Sequence, residues 1–196
     1  MKSYIYGLLS LIVFFSTASA QRVQFDTEAG PITLELYADK APVTVANFLQ
    51  YVDEKRYDGA TFYRVVRLDN QANSAVKIEV IQGGLRDESS RRLPPIAQET
   101  TQKTGLKHLD GTLSLARGLP SSGSSEFFIC INDQPELDFG GKRNPDGQGF
   151  AAFGRVVEGM DVVRSIQQGD VESAGPANVS QMLKKPVQIR TAKRME

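Results

Sequence analysis

The stretch Thr61-Phe62-Tyr63-Arg64-Val65-Val66 decides how the rest of the chain is interpreted. Five of its six residues are β-branched or aromatic, and Gly59 comes shortly before it, so the stretch predicts a β-strand. A strand this apolar is covered on at least one face. Its single cation, Arg64, then lies either at an edge with its head group in water or in a cleft where its five N–H donors face a specific partner. The hexamer alone leaves both interpretations open.

Short apolar segments on both sides of this stretch predict a mainly β protein. Apolar and polar residues alternate in two segments separated by Ala29-Gly30-Pro31, which is typical of two strands joined by a turn. Helical spacing predicts only two helices, at about residues 42–55 and 159–168. Because strands do not alternate with helices, a closed antiparallel barrel or a sandwich with peripheral helices is expected. The strands are predicted at residues 23–27, 32–36, 61–66, 78–82, 111–116, 126–131, 150–157 and 187–191, with irregular segments at 67–76, 86–107, 139–149 and 175–185.

The first 20 residues have the pattern of a secretory signal. Lys2 is followed by an apolar run at residues 5–15 and by Ala18-Ser19-Ala20, an A-x-A cleavage site. A membrane anchor or a buried first helix is the alternative. We expect residues 1–20 to be removed and residues 21–196 to form one domain, exported to the periplasm or secreted and free of the membrane after cleavage.

Composition and charge exclude several classes of function. The chain has 23 basic and 23 acidic residues, a balance that indicates no nucleic-acid or membrane-surface partner. Its single cysteine, Cys130, cannot form an internal disulfide and lies in an apolar run, which predicts a core residue. Its single histidine, His108, allows no multi-histidine metal site, and no spacing in the sequence indicates an Asp, Ser or Cys partner for it.

The sequence also lacks a phosphate-binding motif. Residues 118–125 nearly match a P-loop, but Ser124 stands where the lysine would reach the phosphates. We therefore expect no metal and no cofactor. An enzyme built from this chain must work mainly by shape, desolvation and hydrogen bonding.

Eight segments, in order and over nearly the whole chain after residue 20, resemble the cyclophilin family of peptidyl-prolyl cis-trans isomerases. The resemblance implies a closed eight-stranded antiparallel barrel capped by two α-helices, isomerase activity on Xaa–Pro bonds, and no cofactor. The alternatives are a non-catalytic proline-binding or chaperone module on the same barrel, and an exported barrel that binds a small ligand. The matching segments are residues 34–42 with 47–48, 62–66, 82–84, 106–108, 111–116, 125–129, 137–138 and 153–160.

The resemblance assigns roles to particular residues. Arg64 matches the family's catalytic arginine, and Gln82 matches the glutamine that holds the substrate backbone. Successive residues of a strand point to opposite faces, so either Phe127 or Phe128 must lie outside a small barrel, where it marks a binding patch unless a helix or loop covers it. The other implied substrate-binding residues are Phe128 and Leu137 (floor and wall of the proline pocket), Val80 in place of a methionine, Ala116, Arg117 and Gly118 along the bound peptide, and Phe150 in place of a histidine.

Four further substitutions depart from the family pattern, besides Val80 and Phe150. Glu79 and Glu136 stand where aromatic residues are common, Arg117 replaces an asparagine and Glu126 a glutamine. We expect an altered pocket wall at Glu79 or one supplied by residues 67–76, and weak cyclosporin binding because of Glu136. The expected partners are proline-containing segments of unfolded or partly folded exported proteins, and the expected state is a monomer.

Overall fold

A computed structural model of the chain describes residues 21–173 and 179–195. The predicted signal, residues 1–20, lies outside the described residues.

Eight antiparallel strands form a closed barrel, as predicted. Around the barrel their order is β1-β2-β7-β5-β6-β4-β3-β9, and β9 pairs back with β1 to close the sheet. The strands are β1 (Gln21–Thr27), β2 (Gly30–Leu36), β3 (Thr61–Val66), β4 (Val80–Gly84), β5 (Thr112–Leu115), β6 (Phe127–Cys130), β7 (Ala151–Glu158), β8 (Val171–Ser173) and β9 (Val179–Met195), of which β8 pairs with β9 outside the barrel.

Both predicted helices are present. They are α1 (Pro42–Asp53), which carries proline in its first turn, and α3 (Met160–Gln167). Helix α1 buries Val45, Phe48 and Val52 against the barrel. A one-turn helix, α2 (Thr101–Thr104), lies within the segment predicted to be irregular. Among the described residues, no helix is long and apolar enough to cross a membrane.

Aromatic side chains fill the barrel interior. Phe127 is fully buried, and its ring lies 5.4 to 5.8 Å from the rings of Phe25, Phe48, Tyr57 and Phe62. The next residue in β6 points the other way, into a second apolar cluster outside the barrel wall. This outer cluster consists of Val66, Ile78, Val80, Phe128, Cys130 and Leu137.

The outer cluster also buries the single cysteine. Cys130 has no exposed surface, which confirms its prediction as a core residue, and burial raises the pKa of its thiol well above the ordinary value.

The prediction of a loop at residues 175–185 is wrong for the described part of that segment. Strand β9 begins at Val179 and pairs with both β3 and β8, although its polar residues show no alternation. Its register against β3 jumps from Val187, opposite Phe62, to Met182, opposite Arg64. Pro186 falls within this irregularity, where its missing N–H costs no ladder hydrogen bond. The extra length places Gln181 beside Arg64.

Candidate active site

A cavity of about 490 Å³ opens on the outer face of β3, β4 and β6. Its apolar end is the exposed side of the outer cluster, and its polar end is formed by the segment between β5 and β6. The structure brings all nine predicted site residues to this one cavity: Arg64, Val80, Gln82, Ala116, Arg117, Gly118, Phe128, Leu137 and Phe150.

Two glutamines hold the Arg64 guanidinium. Gln82 lies opposite Arg64 in the β3–β4 register, and its Oε1 accepts a 2.6 Å hydrogen bond from Arg64 Nη1. Gln181 Oε1 accepts from Nε at 3.1 Å and from Nη2 at 2.6 Å. These bonds use three of the five N–H groups, and the other two have no partner among the residues that the structure describes, so they remain for a ligand in the cavity.

The Arg64 guanidinium is only partly solvated. Burial lowers its pKa from the ordinary value, and the nearby positive charge of Arg143 lowers it further. Its ordinary pKa is so high that it stays protonated at neutral pH. Within the described part of the chain, no carboxylate lies within 4.0 Å of Arg64. The site therefore holds a charged donor with no anionic partner.

A hydrogen-bonded chain extends from Gln82 to Glu126. Gln82 Nε2 donates to the Tyr63 hydroxyl at 2.8 Å, and that hydroxyl donates to Glu126 Oε2 at 2.6 Å. A β-bulge between Phe62 and Arg64 lets both Tyr63 and Arg64 reach the Gln82 side chain, although they are successive residues. Burial raises the pKa of Tyr63, so its hydroxyl is a neutral donor. The chain fixes the orientation of the Gln82 amide.

The apolar end of the cavity has a lining suited to a proline ring. Phe128 forms its floor, with Leu137 and Val80 at its sides. The Phe150 ring stands edge-on to Phe128 at 5.2 Å and 85°. Phe128 is only 5% exposed, and the surface it keeps faces the cavity. It is thus neither simply covered nor freely exposed.

His108, Asp138 and Ser114 form a buried network behind the pocket floor. His108 Nδ1 lies 2.8 Å from Asp138 Oδ1 and Nε2 lies 3.0 Å from Ser114 Oγ, while its ring stacks on Phe128 at 5.9 Å and 14°. The sequence spacing indicated no Asp or Ser partner for His108, and the structure corrects this interpretation because Asp138 and Ser114 contact its two ring nitrogens. Since Ser114 has no exposed surface, it cannot act as a nucleophile. His108 therefore has a structural role behind the pocket floor.

Asp138 makes this network sensitive to acid. Burial opposes its ionisation, but hydrogen bonds from the His108 ring and backbone N–H outweigh that effect, so the pKa of Asp138 is lowered. Its ionised form therefore stabilises the fold above the unfolded pKa of about 3.9, and this stabilisation disappears as the pH falls through the folded value. We expect Asp138→Asn to lower the unfolding free energy by about 1–2 kcal/mol at pH 7 and by less near pH 3, below the unfolded pKa.

Urea unfolding of both proteins at the two pH values measures this difference. Asp87→Asn, at a carboxylate that is 90% exposed, is the matched control and should show no such pH dependence. An Asp138→Asn deficit that is equal at both pH values would contradict the assignment.

The expectation of an altered wall at Glu79 is wrong. Its carboxylate accepts a 3.0 Å hydrogen bond from Asn132 Nδ2, away from the cavity, while its neighbours Ile78 and Val80 line the wall. Residues 67–76 act indirectly, because Ser74 and the Val76 carbonyl accept hydrogen bonds from Arg143, which does line the cavity.

The loop 139–149 supplies part of the rim. Arg117 holds it through a bidentate pair with Asp146 at 2.7 and 2.8 Å and a bond to the Gly149 carbonyl, and its guanidinium lies 5.3 Å from the Phe150 ring centroid. Glu136 accepts a hydrogen bond from the Lys142 N–H at the base of this loop and does not line the cavity. The lining residues that the sequence did not indicate are Ile78, Arg92, Ser122, Ser124, Ser125, Arg143 and Asn144.

The described residues bring together no group of three or more His, Cys, Asp or Glu that could hold a metal ion.

Comparison with known proteins agrees with this geometry. The family model "Cyclophilin type peptidyl-prolyl cis-trans isomerase/CLD" matches residues 22–194. The chain is 35% identical to peptidyl-prolyl cis-trans isomerase A of Dickeya dadantii over 192 residues, covering 95% of this chain and 92% of that protein. It is 37% identical to the isomerase cyp18 of Streptomyces antibioticus over 177 residues, covering 87% and 96%.

Solved structures support the fold. A crystal structure of a Cryptosporidium parvum cyclophilin type peptidyl-prolyl cis-trans isomerase superposes with a TM-score of 0.68, covering 91% of this chain and 99% of that one at 19% identity. A second structure of that protein was determined in the presence of the dipeptide Ala-Pro.

Proposed function

The chain belongs to the cyclophilin-type peptidyl-prolyl cis-trans isomerases, and we infer that it catalyses rotation about Xaa–Pro peptide bonds in the cavity that holds Arg64. The observation that carries this assignment is the Arg64 guanidinium, held by Gln82 and Gln181 beside an apolar pocket floored by Phe128. A fixed, partly desolvated donor next to an apolar pocket for the proline ring is what this reaction requires.

The chemistry follows from the amide bond. Rotation about it removes resonance, which gives a barrier of roughly 18–20 kcal/mol and a half-time of tens to hundreds of seconds without a catalyst. In the twisted state the lone pair localises on the prolyl nitrogen. A free Arg64 N–H aimed at this nitrogen stabilises the transition state more than the planar ground state.

The remaining side chains hold the substrate. Gln82 binds peptide backbone next to the proline, in an orientation fixed by Tyr63. Phe128, Leu137 and Val80 hold the pyrrolidine ring while the preceding carbonyl rotates. Ala116, Arg117 and Gly118 flank the peptide at the polar end of the cavity. Because the site is partly closed to water, the contact with Arg64 is stronger than it would be in bulk solvent.

A protease-coupled assay on blocked Ala-Ala-Xaa-Pro-Phe peptides tests the function. Catalysed isomerisation supports it. Binding of these peptides without any acceleration would point instead to a non-catalytic proline-binding module on the same barrel. A set of Xaa residues would also define the preference for the residue before proline.

The charged, apolar and small-residue pattern of residues 1–20 supports export to the periplasm or secretion, so the substrates would be unfolded or partly folded exported proteins. The protein would act there as a monomer, free of the membrane. N-terminal sequencing of the exported protein should begin at Gln21, and light scattering should give the monomer mass. A retained residue 1 in the exported fraction would overturn the signal assignment.

Cyclosporin should bind weakly. Glu136 stands where the family resemblance implies an aromatic contact for this drug, and its carboxylate is instead bonded at the base of the loop 139–149. Calorimetry should give a Kd of about micromolar or weaker, and Glu136→Trp should tighten it. Nanomolar binding by the unmodified protein would contradict this prediction.

A further inference from the structure

The cavity is unusually rich in positive charge. Four arginines line it, namely Arg64, Arg92, Arg117 and Arg143, against a single described carboxylate, Glu126. These charges are not equivalent, and their partners decide which of them remain available to a ligand.

Two of the four arginines have a carboxylate partner. Arg117 forms the bidentate pair with Asp146, and Arg92 lies 3.8 Å from Glu126. Glu126 itself already accepts hydrogen bonds from the Tyr63 hydroxyl, from the Leu85 and Arg86 N–H groups and from Ser125 Oγ. Among the described residues its ion pair is with Arg92, and it lies more than 4.0 Å from the Arg64 and Arg143 guanidinium groups.

Arg64 and Arg143 have no carboxylate within 4.0 Å among the described residues. Both are partly withdrawn from water, and burial lowers the pKa of each. Arg143 Nη1 donates hydrogen bonds to Ser74 Oγ at 2.5 Å and to the Val76 carbonyl at 2.6 Å. Its Nε and Nη2 groups have no described hydrogen-bond partner, so they remain as donors. Two desolvated like charges in one cavity favour the binding of an anion.

A second group beside Arg143 is also unsatisfied. Asn144 lines the same cavity, and its Nδ2 is buried with no hydrogen-bond partner among the described residues. A buried donor without an acceptor costs free energy, but this Nδ2 has almost no surface open to the cavity. The unpaired donors at this point of the cavity wall are therefore those of Arg143.

This point lies close to the proline pocket. The loop that carries Arg143 is fixed to the pocket walls, because the Phe150 N–H bonds to the Leu137 carbonyl and the Arg143 N–H bonds to the Glu136 carbonyl. Arg143 lines the same cavity as Phe128 and Leu137, and successive Cα atoms of a peptide are 3.8 Å apart, so a side chain one or two positions from a bound proline extends along this cavity.

We propose, on the basis of the isomerase function above, that this site prefers proline segments with a carboxylate side chain one or two residues from the proline, and that Arg143 is its specificity-determining residue. The carboxylate would accept hydrogen bonds from Arg143 Nε and Nη2. The forked geometry of a guanidinium fits a carboxylate better than a single amide oxygen.

Matched peptides test this preference. The peptides have blocked ends and differ only in carrying Glu or Gln at one position, which lies one or two residues before or after the proline. The Glu side chain is then the sole carboxylate of the peptide. At the best position kcat/KM should be about five- to tenfold higher for Glu than for Gln, and the ratio should fall as salt is raised. A ratio near one at every position would overturn the proposal.

Variants locate the effect. Arg143→Met should bring the Glu/Gln ratio close to one, and Arg143→Lys should keep part of it by retaining the charge. Arg143→Glu should reverse the charge preference, so that a peptide with Lys at the same position has a higher kcat/KM than the Glu peptide. Arg190→Met removes an exposed charge outside the cavity and should leave the ratio unchanged. A ratio that survives Arg143→Met in a protein that still binds proline peptides would refute the role of Arg143.

A wrong isomerase function and a wrong acidic preference would give different results with these peptides. If the isomerase function is wrong, neither the Gln nor the Glu peptide is accelerated by the unmodified protein. If only the acidic preference is wrong, both peptides are accelerated to the same extent.

Discussion

Arg64→Ala should lower kcat/KM for an Ala-Pro peptide by roughly two to three orders of magnitude, with the barrel still folded. The loss is large because the two free N–H groups of Arg64 are the charged donors beside the pocket that can reach the prolyl nitrogen in its twisted state. The fold should survive because the side chain faces the cavity, and its partners Gln82 and Gln181 can bond to water after its removal.

Arg64→Lys sharpens the same prediction. Lysine keeps the positive charge but cannot hold both glutamines through one planar fork, so its ammonium is not fixed in direction. We expect it to lose most of the activity as well. Arg155→Ala, at an exposed ion pair with Glu35 on the far side of the barrel, is the matched control and should keep full turnover.

Protease-coupled assays measure turnover, and circular dichroism with thermal unfolding measures the fold. Turnover of either Arg64 variant close to that of the unmodified protein would remove Arg64 from the mechanism. Gln181→Ala should have a smaller effect, because Gln82 still holds one side of the guanidinium.

The strands and the two main helices could be predicted because their signals are local. Alternation over five residues predicts β1 and β2, β-branched and aromatic residues predict β3, and the adjacent Phe127 and Phe128 must point to opposite sides of any strand. The barrel interior and the outer cluster confirm that split. Closure depends on pairing between distant segments, so the choice of a closed barrel over a sandwich came from the family resemblance and not from periodicity, and the register was not predicted.

The unpredicted parts of the site are those made by polar side chains across long sequence distances. Gln181 reaches Arg64 over 117 residues, from a strand whose polar sequence resembles a loop. Arg143 reaches Ser74 over 69 residues, from a glycine-rich loop. Glu79 was misplaced for a local reason: it is flanked by two residues that face the cavity, and alternation turns it the other way.

Replacing Phe127 or Phe128 with alanine should separate stability from activity. Phe127 is fully buried among four aromatic rings, so Phe127→Ala leaves a cavity in the barrel interior and should cost about 3–5 kcal/mol of unfolding free energy. That is a large fraction of the total stability of an ordinary domain. The molecules that remain folded at low temperature keep the pocket floor and should isomerise Ala-Pro peptides at near-normal rates.

Phe128→Ala should instead reduce activity strongly and stability only moderately. One face of this ring already borders the open cavity, so its removal should cost only about 1–3 kcal/mol of stability. The proline ring then loses its floor, and the His108 ring that stacks beneath it cannot fill the space because Asp138 and Ser114 hold both of its nitrogens. We expect KM to rise more than tenfold, by the loss of about 1.5 kcal/mol or more of apolar contact with the ring. Urea unfolding and peptide kinetics on both variants measure the two effects, and a Phe128→Ala enzyme that keeps its KM would show that the proline binds elsewhere.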